Sequence, residues 1–104
     1  MKLTIQERIM ALDILQNVTG NIVNLKIIRD MQMELSFSEA ELKDGEIEFG
    51  HQGVTWNNSK AILKDVNLGF KALAILADTL KDLDAKQKLT INHISLYEKI
   101  NGGN

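Results

Sequence analysis

Residues Leu68 to Leu83, LGFKALAILADTLKDL, decide how the rest of the chain is read. Leu73, Leu76, Leu80 and Leu83 recur at spacings of three and four, and Leu68, Ala72 and Ile75 form a second stripe beside them. A helix with one apolar stripe lies on a surface, whereas one with two has elements packed on both flanks. The spacing therefore predicts a central core helix over about 68–85. It should fray from Lys81 towards Lys88, where Lys86 and Lys88 suit the negative pole of the helix dipole.

Two helices should supply that core helix with partners. Thr4-Ile5-Gln6-Glu7 has the form of a capping box, and Ile5, Ile9, Leu12 and Leu15 then share one face, with Gln6, Glu7 and Asp13 away from it. After a turn at Asn17 to Gly20, Ile22, Leu25, Ile28, Met31 and Leu35 mark a second amphipathic helix. The short connection predicts an antiparallel hairpin of helices with both apolar faces turned to the 68–85 helix. Met33 falls off the main stripe and is expected at the surface.

Ser38-Glu39-Ala40-Glu41 repeats the capping box and predicts one short turn, Glu39 to Lys43, anchored by Phe37 and broken at Asp44-Gly45. Beyond it Ile47 and Phe49 alternate with Glu46 and Glu48, and Val54 and Trp56 follow a Gly50-His51-Gln52-Gly53 turn, so Glu46 to Trp56 reads as a β-hairpin lying against the central helix. Asn57 to Lys60 is a polar turn. Ala61 to Val66 fits either a third strand or an early start to the central helix, and the third strand is favoured, with Asn67 a candidate N-cap beyond it. Thr90 should cap a last helix, Ile91 to Ile100, before a frayed tail of Gly102-Gly103-Asn104.

The expected fold is thus α+β, three to four helices around a central helix with a small antiparallel hairpin or three-stranded sheet at about 46–66. A length of 104 residues, 44% apolar and 25% charged, fits a single domain, 1–104, with one hydrophobic core. The formal charge of −2, with lysines interleaved among carboxylates, gives no footprint for a phosphate backbone, and helix two offers only Lys26 and Arg29, so nucleic acid is not an expected partner. Without cysteine, disulfides, thiolate nucleophiles and the usual structural zinc sites are excluded. No basic stretch followed by an apolar one opens the chain, and the longest apolar run, Ala72 to Ala77, is far short of a membrane span, so a soluble, intracellular protein is expected.

No motif supplies chemistry. Asp44 to Phe49 resembles half of a calcium loop, but Ala40, Leu42 and His51 stand where ligands would be needed. His51, in a glycine-flanked loop, and His93, expected at the surface or partly packed, have no partner at metal-binding spacing. Neither GxGxxG, a P-loop nor GxSxG occurs, and Ser36, Ser38, Ser59 and Ser95 have no base placed by local spacing. Asp78, Asp82 and Asp84 with Lys81, Lys86 and Lys88 read as a solvated helix face. No catalytic residue, metal ligand or cofactor is therefore expected. An interface remains: Trp56, read first as a cover of the sheet-to-helix core and otherwise as an interface anchor, joins Met33 and Tyr97 as its candidate anchors.

Three stretches, GNIVNLKIIRDMQMELSFSEAEL from Gly20, the pair Trp56-Asn57, and KLTINHISLYEKI from Lys88, are similar to those of small uncharacterised proteins encoded by phages and prophages. The resemblance carries no active-site residues. It implies a mobile-element setting with the host cytoplasm as compartment. The function expected is that of a non-enzymatic phage-type interaction protein that binds a protein partner or self-assembles into a homo-oligomer. The alternative is a small-ligand binder or small enzyme whose site is not visible in the sequence.

Overall fold

The computed structural model describes residues 1–57, 59 and 62–102. Asn58 and Lys60 of the expected polar turn, Ala61 of the expected third strand, and Gly103 and Asn104 of the tail lie outside the described residues. The elements in chain order are β1 (Lys2–Thr4), α1 (Ile5–Leu15), α2 (Ile22–Leu35), α3 (Glu39–Asp44), β2 (Glu48–Gly50), β3 (Gly53–Thr55), β4 (Leu63–Asp65), α4 (Phe70–Ala85), a 3-10 turn (Ile91–His93) and α5 (Ile94–Asn101). The fold is α+β, with helices dominant over two small antiparallel sheets.

Local side-chain chemistry starts the helices. Thr4 Oγ1 accepts from the Glu7 N–H at 3.2 Å while Glu7 Oε1 accepts from the Thr4 N–H at 2.8 Å. Ser38 and Glu41 repeat the exchange at 3.2 and 3.0 Å, and Asn21 Oδ1 accepts from the Asn24 N–H at 2.9 Å. Each bond satisfies an N–H that a helix leaves open in its first turn. The α4 helix is different: Gly69, not Asn67, is its N-cap, without a side-chain bond. Asn67 is held earlier, its N–H donating to Glu34 Oε1 at 3.3 Å, which sets the chain beside the end of α2 before the helix begins.

The leucine stripes place α4 at the centre. Ala72, Leu76 and Leu80 are buried against Ile28, Met31 and Leu35 of α2, Ala11, Ile14 and Leu15 of α1, and Leu96 of α5. The first two helices are antiparallel: Arg8, near the start of α1, donates to the carbonyl of Leu35, at the end of α2. Two details differ from the periodic reading. Ile22 and Leu25 are exposed, because steps of three drift around a 3.6-residue helix and carry them away from the face of Ile28, Met31 and Leu35. On α1, Glu7 and Arg8 are buried with Ala11 and Ile14, and Ile9 and Leu12 are only half-buried, so the helix is rotated from the expected face.

The sheets also depart from expectation. The β2–β3 hairpin forms in register Glu48 with Thr55 and Phe49 with Val54, as alternation predicts. Strand β4 does not extend it. It pairs instead with β1, Leu3 opposite Lys64, which places Leu3 in the core beside Val66. Nor does the hairpin lie against α4, whose packing partners are α1, α2 and α5; it faces α1 and the α2–α3 junction.

At the end of α3, Gly45 has ordinary helical torsions, and the following Glu46 takes the positive φ of 52°. Gly45 is needed for space. A Cβ there would stand 3.1 Å from side-chain atoms of Ile5, Ile47 and Ile62 together. Gly45→Ala is expected to cost about 1–3 kcal/mol through overpacking, read as a lower denaturation midpoint at unchanged slope. An unchanged midpoint would show that the three isoleucines move aside freely.

Candidate functional site

Two polar clusters fix the frame around which any surface must be built. Arg8 has no exposed surface. Its Nε donates to the Leu35 carbonyl at 3.0 Å, Nη2 to the Ser36 carbonyl at 2.5 Å, and Nη1 to Glu41 Oε2 at 2.6 Å, while the guanidinium carbon lies 4.0 Å from the Phe37 ring centroid. One side chain thereby closes the last carbonyls of α2, pairs the capping carboxylate of α3 and covers an aromatic face.

Glu7 is the second cluster. Its Oε1 accepts from Lys99 Nζ at 2.7 Å and from the Thr4 N–H, its Oε2 accepts from the Ser95 hydroxyl, and Lys99 also donates to the Lys2 carbonyl at 2.9 Å. Ser95 beside a carboxylate has the outline of a nucleophile and base. The chemistry argues otherwise. Burial pushes the Glu7 carboxyl up, but the bonds from Lys99, Ser95 and the Thr4 N–H outweigh it and hold the pKa below its ordinary value. A carboxylate so engaged is a poor proton acceptor, and the trio ties α5 to the start of α1.

The hydrogen bonds from Arg8 depress Glu41 further, to about 2 from an ordinary 4.5. A carboxylate whose folded pKa is lowered adds stability above its unfolded pKa and loses it as pH falls through the folded one. The full shift corresponds to about 3 kcal/mol, which solvent screening at this partly open edge reduces to about 1–2 kcal/mol. Melting temperature should therefore hold steady above about pH 5 and fall between about pH 4.5 and 2. Glu41→Gln, already less stable at neutral pH, should show a shallower fall. Parallel curves for the two proteins would remove Glu41 as the cause.

Three clefts open on the described residues; one of about 440 Å³ lies between α2 and the start of α4, beside Ile27, Leu68 and the exposed Phe70, and the other two bear on function. The larger, about 690 Å³, lies between the end of α1, the following turn and the second half of α4, and is lined by Asp13, Asn17, Asp78, Asp82, Lys86, Lys88 and His93. Its polar groups do not converge. Asp82 is taken by Lys86 at 2.9 Å, and His93 Nδ1 accepts from the Thr90 N–H at 2.9 Å, which leaves the proton of the neutral ring on Nε2. That Nε2 is buried, with no partner among the described residues. His93 is thus buried, more fully than the surface or partly packed position expected, with its Nδ1 held by the Thr90 N–H. Among the described residues no three His, Asp or Glu side chains gather where they could hold a metal.

The smaller cleft, about 440 Å³, is an apolar groove between the outer sides of α1 and α2, closed at one end by the hairpin. Ile9 and Leu12 form one wall, Gln32 and Ser36 the other, and Phe37, Leu42, Phe49 and Val54 the end. Phe49 is 64% exposed although it faces this groove. Of the three anchors expected from the sequence, Met33 is exposed on α2 beside the groove wall, Trp56 is half-buried just after β3, and Tyr97 is half-buried on α5 against the core. They sit on three different elements. Sequence reading missed Ile9 and Leu12 as groove residues because an apolar helix position looks the same whether it meets the core or a cleft.

Among the described residues no helix is long and apolar enough to cross a membrane. No protein-family model, curated protein or solved structure matches the chain.

Proposed function

We propose that this chain is a non-enzymatic interaction protein of phage or prophage type, working in the host cytoplasm by docking a protein surface into the groove between α1 and α2. The observation that carries the docking reading is the groove itself: four apolar side chains from α3, the hairpin and the preceding turn close one end of a channel whose sides are Ile9 and Leu12 of α1 and Gln32 and Ser36 at the end of α2. Such a channel accepts the apolar face of an amphipathic helix, and an exposed Phe at its rim is the kind of anchor that contributes most of the energy at an interface. The phage setting is supported by the resemblance of the Gly20–Leu42 and Lys88–Ile100 stretches.

The rival reading, a small-ligand binder or enzyme, is favoured by the larger size of the polar cleft. Its lining weighs against that reading, since ligand sites combine an apolar body with a few convergent polar groups, and here Asp82 is already paired and the His93 donor is closed in.

Affinity capture from host lysate followed by native mass spectrometry, comparing wild type with Phe49→Asp, tests the proposal. Wild type should retain a stoichiometric protein species, itself included, and Phe49→Asp should lose it while keeping its circular dichroism and melting temperature. Retention by both proteins would place binding elsewhere, and a wild-type chain that binds no protein at all would overturn the reading.

A further inference from the structure

The groove has a fitting occupant on the same chain. We infer that α2 of a second copy lies in it, reciprocated about a twofold axis; this rests on the groove-docking reading above and names its partner.

The inner face of α2 is used by the core, through Ile28, Met31 and Leu35. At spacings of four, three and four, Ile22, Lys26, Arg29 and Met33 share the opposite side, and all four are exposed, Ile22 at 66% and Met33 at 68%. That face reads apolar, basic, basic, apolar. The groove is its complement: the Ile9–Leu12 wall and the end wall are apolar, the Gln32–Ser36 wall is uncharged, and its one charged lining residue is Asp13, an exposed carboxylate with no ion pair or side-chain hydrogen bond among the described residues. Lys26 likewise has no carboxylate partner there, while Arg29 has only the exposed neighbour Asp30 at 3.6 Å.

The outer face of α2 cannot reach the groove of its own chain, because α2 is one of that groove's walls. It can reach another's. Face and groove lie side by side on one helical hairpin, and about a twofold axis the contact of one copy's α2 with the other's groove is repeated in reverse. This is a closed, isologous arrangement, in which α1 and α2 of each copy make one layer of a four-helix, two-layer interface. Met33 and Ile22 then enter apolar surroundings, and the basic pair meets Asp13 of the second copy.

Sedimentation equilibrium on the full chain from about 1 to 300 µM tests the inference, a range that spans ordinary dimer affinities. The expected mass tends to twice the 11.7 kDa chain mass. Met33→Glu should raise the dissociation constant by about tenfold or more, as for an anchor at an interface centre. Asp13→Lys should weaken association severalfold, and so should Lys26→Glu with Arg29→Glu. The three charge changes together should regain most of the loss. Because all these side chains are exposed, melting of the diluted monomer should be unchanged in each variant. A monomer throughout the range would overturn the inference and leave the groove reading to the Phe49→Asp capture experiment. A dimer indifferent to Met33→Glu and to the charge exchange would also overturn it, by placing the contact on another face.

Discussion

Replacing Arg8 by Ala is expected to cost about 3–5 kcal/mol, the usual penalty for removing one partner of a buried, hydrogen-bonded ion pair. The guanidinium serves three acceptors on two segments at once: the Leu35 and Ser36 carbonyls ending α2, and the Glu41 carboxylate beginning α3. Truncation removes the guanidinium donors from all of them, leaving the Glu41 carboxylate with the Ser38 N–H alone, and removes a cation stacked on Phe37. Uncompensated buried acceptors, not the lost attraction alone, make the loss large. A lysine should restore little, since a single ammonium on a flexible stem cannot match a planar fork that donates from three nitrogens. The double variant Arg8→Met with Glu41→Gln should be more stable than Arg8→Met alone, because the second change removes the stranded charge. Urea melts of the three proteins check this. A cost below about 1 kcal/mol for Arg8→Ala would show that water replaces the guanidinium without penalty.

The Arg8 cluster also marks where sequence reading stops. The capping boxes at Thr4 and Ser38 were legible because both partners lie within four residues, and the β2–β3 hairpin was legible from alternation around a glycine turn. The burial of Glu7 and Arg8 was not. Their partners stand 27 to 33 residues away for Arg8 and 88 to 92 for Ser95 and Lys99, and no local pattern reports such distances. Strand β1 was invisible for a related reason: three residues with only Leu3 buried have no period to read. Part of the candidate interface did show. Met33 departs from the Ile28–Met31–Leu35 stripe and is exposed, whereas Ile22, reached from that stripe by steps of three, has drifted round the 3.6-residue helix to the side of Met33 and is exposed with it.

Leu76→Ala is the second large effect expected, at about 2–5 kcal/mol. Leu76 has no exposed surface and lies in the middle of α4, in the cluster where buried side chains of α1, α2 and α5 meet. Removing three of its side-chain carbons forfeits their transfer energy and leaves a space that helices held on several sides cannot close, which is why the upper half of the range applies. For a domain of about 100 residues each kcal/mol lowers the melting temperature by about 4–8 °C, so the midpoint should drop by about 10 °C or more. The comparison that isolates burial is Phe70→Ala on the same helix, because Phe70 is 90% exposed and its larger truncation should change stability by less than about 0.5 kcal/mol. Calorimetry on both variants reads the contrast directly. If Leu76→Ala melted within a degree or two of wild type, α4 would not be the element on which the other helices pack, and the groove between α1 and α2 would lose the support that holds its walls in place.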